Sequence, residues 1–165
     1  MNLNAPIDLG AVVERFDHIS IAVYDIRGAL PLVGMLGGEF RDGGDNQPGQ
    51  FRWVQFNLPG AAKLELITPL DPTAADNFLV RFLDTNGEGA HHITLKVTDI
   101  KDAIRTAAEL GLEVVGVDLS NPKWQEAFIH PKSANGVLVQ LADWSDGAVS
   151  GKTLDEVLAD SWTAP

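Results

Sequence analysis

The chain has 165 residues, of which 45% are hydrophobic and 21% charged, the composition of one ordinary folded domain and not of a disordered chain. It contains no cysteine, which excludes disulfides, thiolate zinc sites and cysteine nucleophiles. With 12 Lys+Arg against 23 Asp+Glu the formal charge is −11, so the cations that neutralise phosphates in nucleic-acid binding are lacking.

The longest uncharged run, residues 28–38, has 11 residues and includes Gly and Pro, short of the roughly 20 apolar residues of a membrane helix. No secretion signal opens the chain, so a cytoplasmic protein with neither a membrane nor a nucleic acid as partner is expected. From Asp143 onward, Asp143, Asp146, Asp155, Glu156 and Asp160 stand against Lys152 alone, which places much of the acidity in a solvated tail.

Residues 1–15 read as an extension. The alternating, β-branched stretch FDHISIAV (16–23) predicts a strand. Asp25 follows where a helix N-cap belongs, because its carboxylate can accept first-turn amide protons. The helix after it is disfavoured by Gly28 and Pro31 and ends at Gly37. Strands are expected over 39–41, 51–58 and 62–68. The link 69–89 begins turn-like at Pro69 and Pro72, then forms a short helix over 75–83 with Phe78, Leu79 and Phe82 inward. A second strand, HHITLKV (91–97), precedes Asp99, a helix over 100–110 with Ala103, Ile104, Ala107 and Ala108 on one face, and Gly111. Strands over 113–118, 126–130 and 136–142 complete this half. Residues 144–165 form a second extension, with an amphipathic helix over 154–162.

The two halves are copies. Offset by 74 residues, His18-Ile19 falls on His92-Ile93, Val23 on Val97, Asp25-Ile26 on Asp99-Ile100, Ala29 on Ala103, Leu36-Gly37 on Leu110-Gly111 and Glu39 on Glu113, without a gap. Ser20 pairs with Thr94 and Phe40 with Val114. Each half therefore reads βαβββ, and such a repeat decides the fold class before any finer reading.

The repeat also aligns polar residues. His18 and His92 lie on the first strand of each half, and Glu65 and Gln140 on the last. The spacings are 47 and 48 residues, a difference that one loop residue explains. Glu65 is flanked by Leu64, Leu66 and Ile67, and Gln140 by Leu138, Val139 and Leu141, so each must face a cavity or be hydrogen-bonded. Pairing of the halves about a pseudo-twofold axis brings the four side chains together. Two imidazoles with oxygen donors suit a divalent ion: Co, Ni, Mn, Zn, Mg or Fe. His91 adjoins His92 but should face the other way, because side chains alternate along a strand.

The strings FDHISIAV (16–23), KLELITPL (63–70), NFLVRFLDTNGEGAHHITLKVTDI (77–100) and FIHPKSANGVLVQLAD (128–143) resemble the vicinal oxygen chelate superfamily of glyoxalases, bleomycin-resistance proteins and dioxygenases. Within it they look most like the methylmalonyl-CoA epimerase branch. The resemblance implies an α+β fold spanning 16–143: two paired βαβββ modules, 16–70 and 90–143, forming a curved mixed sheet around a metal cleft, in a homodimer. It implies His18, Glu65, His92 and Gln140 as metal ligands and Glu65 as the catalytic carboxylate. The reaction implied is a metal-dependent isomerisation or epimerisation of an acyl thioester or related carbonyl substrate, through an enolate.

Gln140 departs from this branch, where a glutamate is usual, and the third-strand stretch FRWVQFNLP (51–59) has no carboxylate. Glu126 is a more distant acid/base candidate. Trp53 and Gln55, with Trp124 and Gln125, are candidate pocket walls. His130 and Lys132 of the HPKSANG string, with Asn135, are placed to meet an anionic substrate. Two other functions remain open on the same residues: a lyase or dioxygenase using the His18, His92 and Glu65 set, and a protein that binds a small molecule without turnover.

Overall fold

A computed structural model describes residues 12–145, 147 and 149–159. The chain divides into two compact units, one from residues 18–92 and 147–165, the other from residues 1–17 and 93–146.

The first module runs β1 (Val13–Ala22), α1 (Ile26–Met35), β2 (Glu39–Asn46), β3 (Phe51–Asn57) and β4 (Lys63–Pro69), followed by α2 (Phe78–Asn86). The strand order is β2-β3-β4-β1. β4 runs parallel to β1 and antiparallel to β3, which is antiparallel to β2. Alternation then sorts the side chains. Val54 and Phe56 of β3 and Leu64 and Leu66 of β4 pack with Val23, Ile26 and Val33 in one cluster. The alternate residues, Gln55 of β3 and Glu65 of β4, point to the opposite face with His18 and Ser20 of β1. There α2 packs Leu79 and Leu83 onto Ala22 and Ile67, with Trp53 and Phe82 alongside.

The second module runs β5 (Gly89–Val97), α3 (Ile100–Glu109), β6 (Val114–Asn121), β7 (Trp124–Ile129) and β8 (Val139–Asp143). The order β5-β8-β7-β6 and the parallel β5/β8 pairing match the first module strand for strand. The core gathers Val97, Ile100, Ala103, Ala127 and Leu141.

The repeat is reproduced at its helix ends. Asp25 accepts from the amides of Arg27 and Gly28, and Asp99 from those of Lys101 and Asp102. Gly37 and Gly111 lie just past the last helical residues with φ of 70° and 75°. The amide of Gly111 bonds to Ala108 O at 3.0 Å and that of Leu112 to Ala107 O at 3.0 Å; Gly37 and Gly38 do the same toward Gly34 and Val33. Both helices thus end on the same Schellman closure. A Cβ at Gly111 would meet nothing within 4 Å, so its cost is purely conformational. Gly111→Ala is expected to lower the unfolding free energy by about 1–2 kcal/mol, read from the urea midpoint at unchanged slope.

Several elements differ from the sequence expectation. α1 is a continuous ten-residue helix despite Pro31. Its buried Ile26 and Val33 anchor it to the core, and Pro31 lies on the exposed side, where water can meet the carbonyl that its missing N–H leaves unbonded. β1 begins at Val13, since Val12 and Val13 pack on the second cluster. β2 extends to Asn46 through two glycines. A Cβ at Gly43 would stand 2.9 Å from Trp53 O and 3.0 Å from Val157 Cγ1, so glycine permits this approach. β8 is shortened at its start, because Asn135 and Gly136 turn with φ of 52° and 89°. α2 starts at Phe78, which is exposed, and Ala108 is exposed on α3; Leu79, Val80 and Leu83 of α2 are the buried positions. The C-terminal helix α4 (Leu154–Ala159) buries Val157 at 1% exposure in its own unit's core, with Leu154 and Leu158 beside it. Trp162 lies outside the described residues. Among those residues, no helix is long and apolar enough to cross a membrane.

Candidate metal centre

β1, β4 and β5 each bring one side chain to a common point. One ligand atom each of His18, Glu65 and His92 lies within 4.8 Å of the others, the scale of a single ion's coordination sphere, whose donors stand about 2.0–2.2 Å from the metal. His18 Nε2 is 3.5 Å from Glu65 Oε1, and the two imidazole rings are edge-on with centroids 6.0 Å apart. His18 is 2% exposed, Glu65 8% and His92 9%, so three polar groups share a largely water-free position. Two imidazoles and a carboxylate suit borderline divalent ions such as Fe²⁺, Co²⁺, Ni²⁺ and Zn²⁺.

The carboxylate is held by strand register. Ser20 lies opposite Glu65 across the parallel β1/β4 pair, and Gln55 opposite it across the antiparallel β3/β4 pair. Ser20 Oγ donates to Glu65 Oε1 at 2.5 Å and Gln55 Nε2 to Glu65 Oε2 at 2.9 Å. Burial alone would raise the Glu65 carboxyl. The His18 imidazole by hydrogen bond and charge, the His92 ring and the Ser20 hydroxyl outweigh it and hold the carboxyl down at about 2. Burial pushes His92 down to about 3 against the pull of the Glu65 carboxylate, and His91 down to about 4. At neutral pH His92 is therefore uncharged.

His91 stays outside the converging set, as alternation requires, and packs among Phe82 and Phe78 with centroids 4.8 and 5.6 Å away. Its Nδ1 nevertheless reaches 2.9 Å from His92 Nδ1, a contact that alternation did not anticipate.

The second module repeats the arrangement with one exchange. Thr94 lies opposite Gln140 in the parallel β5/β8 pair and donates Oγ1–H to Gln140 Oε1 at 2.6 Å, as Ser20 does to Glu65. Gln140 Nε2 donates to Glu126 Oε2 at 2.7 Å, and Trp124 Nε1 donates to the same oxygen at 2.9 Å. In the first module the carboxylate is on the last strand and the amide lies directly opposite it on the third; in the second the amide is on the last strand and the carboxylate is on the third, two residues out of that register, with Phe128 opposite Gln140 and Glu126 opposite Ala142. The sequence flagged Gln55 and Glu126 but not the hydroxyls, although the match of Ser20 with Thr94, two residues past each histidine on the same strand face, carried that signal.

Other sequence candidates have structural partners of their own. Trp53 packs against the α2 cluster. His130 caps the turn Pro131–Ser133, its Nδ1 accepting from the Lys132 amide at 3.1 Å. The Lys132 side chain is exposed.

Residues 17–128 match the family model described as the glyoxalase/bleomycin resistance protein/dioxygenase superfamily. The chain belongs to this superfamily. It is 32% identical over 137 residues to an ethylmalonyl-CoA/methylmalonyl-CoA epimerase of Cereibacter sphaeroides, an alignment covering 79% of this chain and 98% of that one. The human mitochondrial methylmalonyl-CoA epimerase is 30% identical over 131 residues, covering 77% of this chain and 72% of the relative. Among solved structures, methylmalonyl-CoA epimerase from Mycobacterium tuberculosis superposes with a TM-score of 0.71 at 28% identity, covering 82% of this chain and 91% of that one. The α+β class of βαβββ modules with mixed sheets, expected from the sequence, is the fold of these proteins.

Proposed function

We propose that the protein is a divalent-cation-dependent epimerase acting on an acyl-CoA thioester. The observation that carries this reading is the convergence of His18, Glu65 and His92 within 4.8 Å, in a chain whose relatives include methylmalonyl-CoA epimerases. His18, Glu65 and His92 would hold the cation. Gln140 is the fourth donor on the strength of the repeat, which pairs it with Glu65. When bound, the cation supplies Lewis-acid stabilisation of negative charge on the substrate's carbonyl oxygen. The protein's own part is to fix an ionised carboxylate beside two imidazoles in a position sheltered from water.

Glu65 is also the group assigned to move the α-proton, and its surroundings set how well it can. Ser20 and Gln55 donate to its two oxygens and so fix the orientation of the carboxylate for that transfer. The test is exchange of the α-proton of methylmalonyl-CoA in deuterium oxide, followed by mass spectrometry. Exchange should require Co²⁺ or another divalent ion and stop on chelation. Cation binding without exchange would refute the epimerase assignment. The same two-histidine, one-carboxylate set matches the non-haem Fe²⁺ oxygenase pattern, so oxygen uptake with a catechol under Fe²⁺ would transfer the site to dioxygenase chemistry.

A further inference from the structure

We propose that His91 is a positioning residue that fixes the ring tautomer of His92 and so decides whether His92 can take a cation. This rests on the reading of His18, Glu65 and His92 as a cation site. The Nδ1 atoms of His91 and His92 are 2.9 Å apart, close enough that one proton lies between them. Two protons cannot, since two N–H groups would then face each other. If the proton belonged to His91, His92 Nδ1 would be the acceptor, and the one proton of its neutral ring would sit on Nε2. No lone pair of His92 would then remain for a cation. If the proton belongs to His92, its Nδ1–H points at His91 and its Nε2 lone pair is available as a ligand. Only the second arrangement is compatible with a cation site, and it makes His91 the acceptor.

His91 is built to hold that role. It is half-buried, with its ring edge-on to Phe82 at 4.8 Å and tilted against Phe78 at 5.6 Å. Phe78 is braced in turn by Phe51 at 5.7 Å. Rotating the imidazole would break these ring contacts. The outer partner of a metal-binding histidine is usually a carboxylate, a backbone carbonyl or water. Here a second imidazole takes that place, supplied by the adjacent residue of the same strand.

The tautomer is read directly, in the full chain without metal, by long-range proton–nitrogen correlation of the imidazole rings. The parent should show His92 protonated at Nδ1 and His91 at Nε2. His91→Phe keeps an aromatic ring against Phe78 and Phe82 but removes the acceptor. It should release His92 to a tautomer mixture and weaken Co²⁺ binding by about 10–100-fold, measured calorimetrically, with little change in the unfolding midpoint. His91→Asn, whose amide oxygen can stand where Nδ1 was, should recover most of the affinity. A parent His92 protonated at Nε2 overturns the inference whatever the metal data show. Equal Co²⁺ affinity in the parent and His91→Phe overturns it while leaving the cation site standing. A parent that binds no Co²⁺ overturns the cation site and this inference with it.

Discussion

Replacing either His18 or His92 by alanine is expected to weaken divalent-cation binding by more than the ~10–100-fold that loss of an outer partner costs, because in the proposed site each would donate directly to the cation. The fold should survive. Glu65 keeps its hydrogen bonds from Ser20 and Gln55 after His18 is gone, so no buried carboxylate is left without a donor. Metal content of protein purified without chelator or affinity metal, together with a Co²⁺ titration, reads the effect, and near-ultraviolet circular dichroism reads the fold. Unchanged metal content in both variants would contradict the site. A pH signature accompanies it. His92 is held neutral with a folded pKa of about 3, below the ordinary value of 6.5, so the folded state binds fewer protons than the unfolded one between those values. Stability in the parent should therefore fall as pH drops from about 6.5 toward 3, and His92→Ala should fall less steeply across that window.

Much of this site is legible in the sequence because a repeat doubles every signal. One buried histidine on a strand says little. Two at an offset of 74, each followed 47 or 48 residues later by a polar residue in an apolar strand, require a common structural cause, and strand alternation then places His18, Ser20, Gln55 and Glu65 on one face. Helix caps were equally readable, since Asp25, Asp99, Gly37 and Gly111 act through local backbone geometry alone. What local pattern could not give was set by distant contacts. Pro31 argues against a helix that the burial of Ile26 and Val33 nevertheless stabilises. Two glycines argue against a long β2, yet Gly43 is where Val157, more than a hundred residues away, comes to rest. The contact between His91 and His92 was hidden for a different reason. Alternation fixes the face toward which each Cβ points, while a long ring can lean back toward its neighbour's nitrogen.

The exchange of amide and carboxylate between the modules gives the most direct test of how each pair is held. In Gln140→Glu a carboxylate oxygen replaces the Nε2 that now stands 2.7 Å from Glu126 Oε2, and the donor between them is lost. Two half-buried carboxylates at that distance cannot both stay ionised without cost. The variant is expected to lose about 1–3 kcal/mol of stability near pH 8, the range for a buried polar group stripped of its partner. The pair can relieve itself only by keeping a proton, which raises a folded-state pKa above its unfolded value. The deficit should therefore be smallest at acidic pH and grow as pH rises. The double variant Gln140→Glu with Glu126→Gln restores one amide and one carboxylate in the order of Gln55 and Glu65, with Thr94 donating to the new carboxylate as Ser20 does to Glu65. It should recover most of the lost stability, a coupling within the 0.5–3 kcal/mol found for residues in direct contact. It would also put a carboxylate on β8 at the position where the resemblance to the epimerase branch implies one. The α-proton exchange rate should rise with it, toward the ~10²-fold end of what a positioned base contributes. A double variant no more stable than Gln140→Glu alone would mean that Glu126 and Gln140 are held by their other neighbours, Trp124 and Thr94, and not by each other.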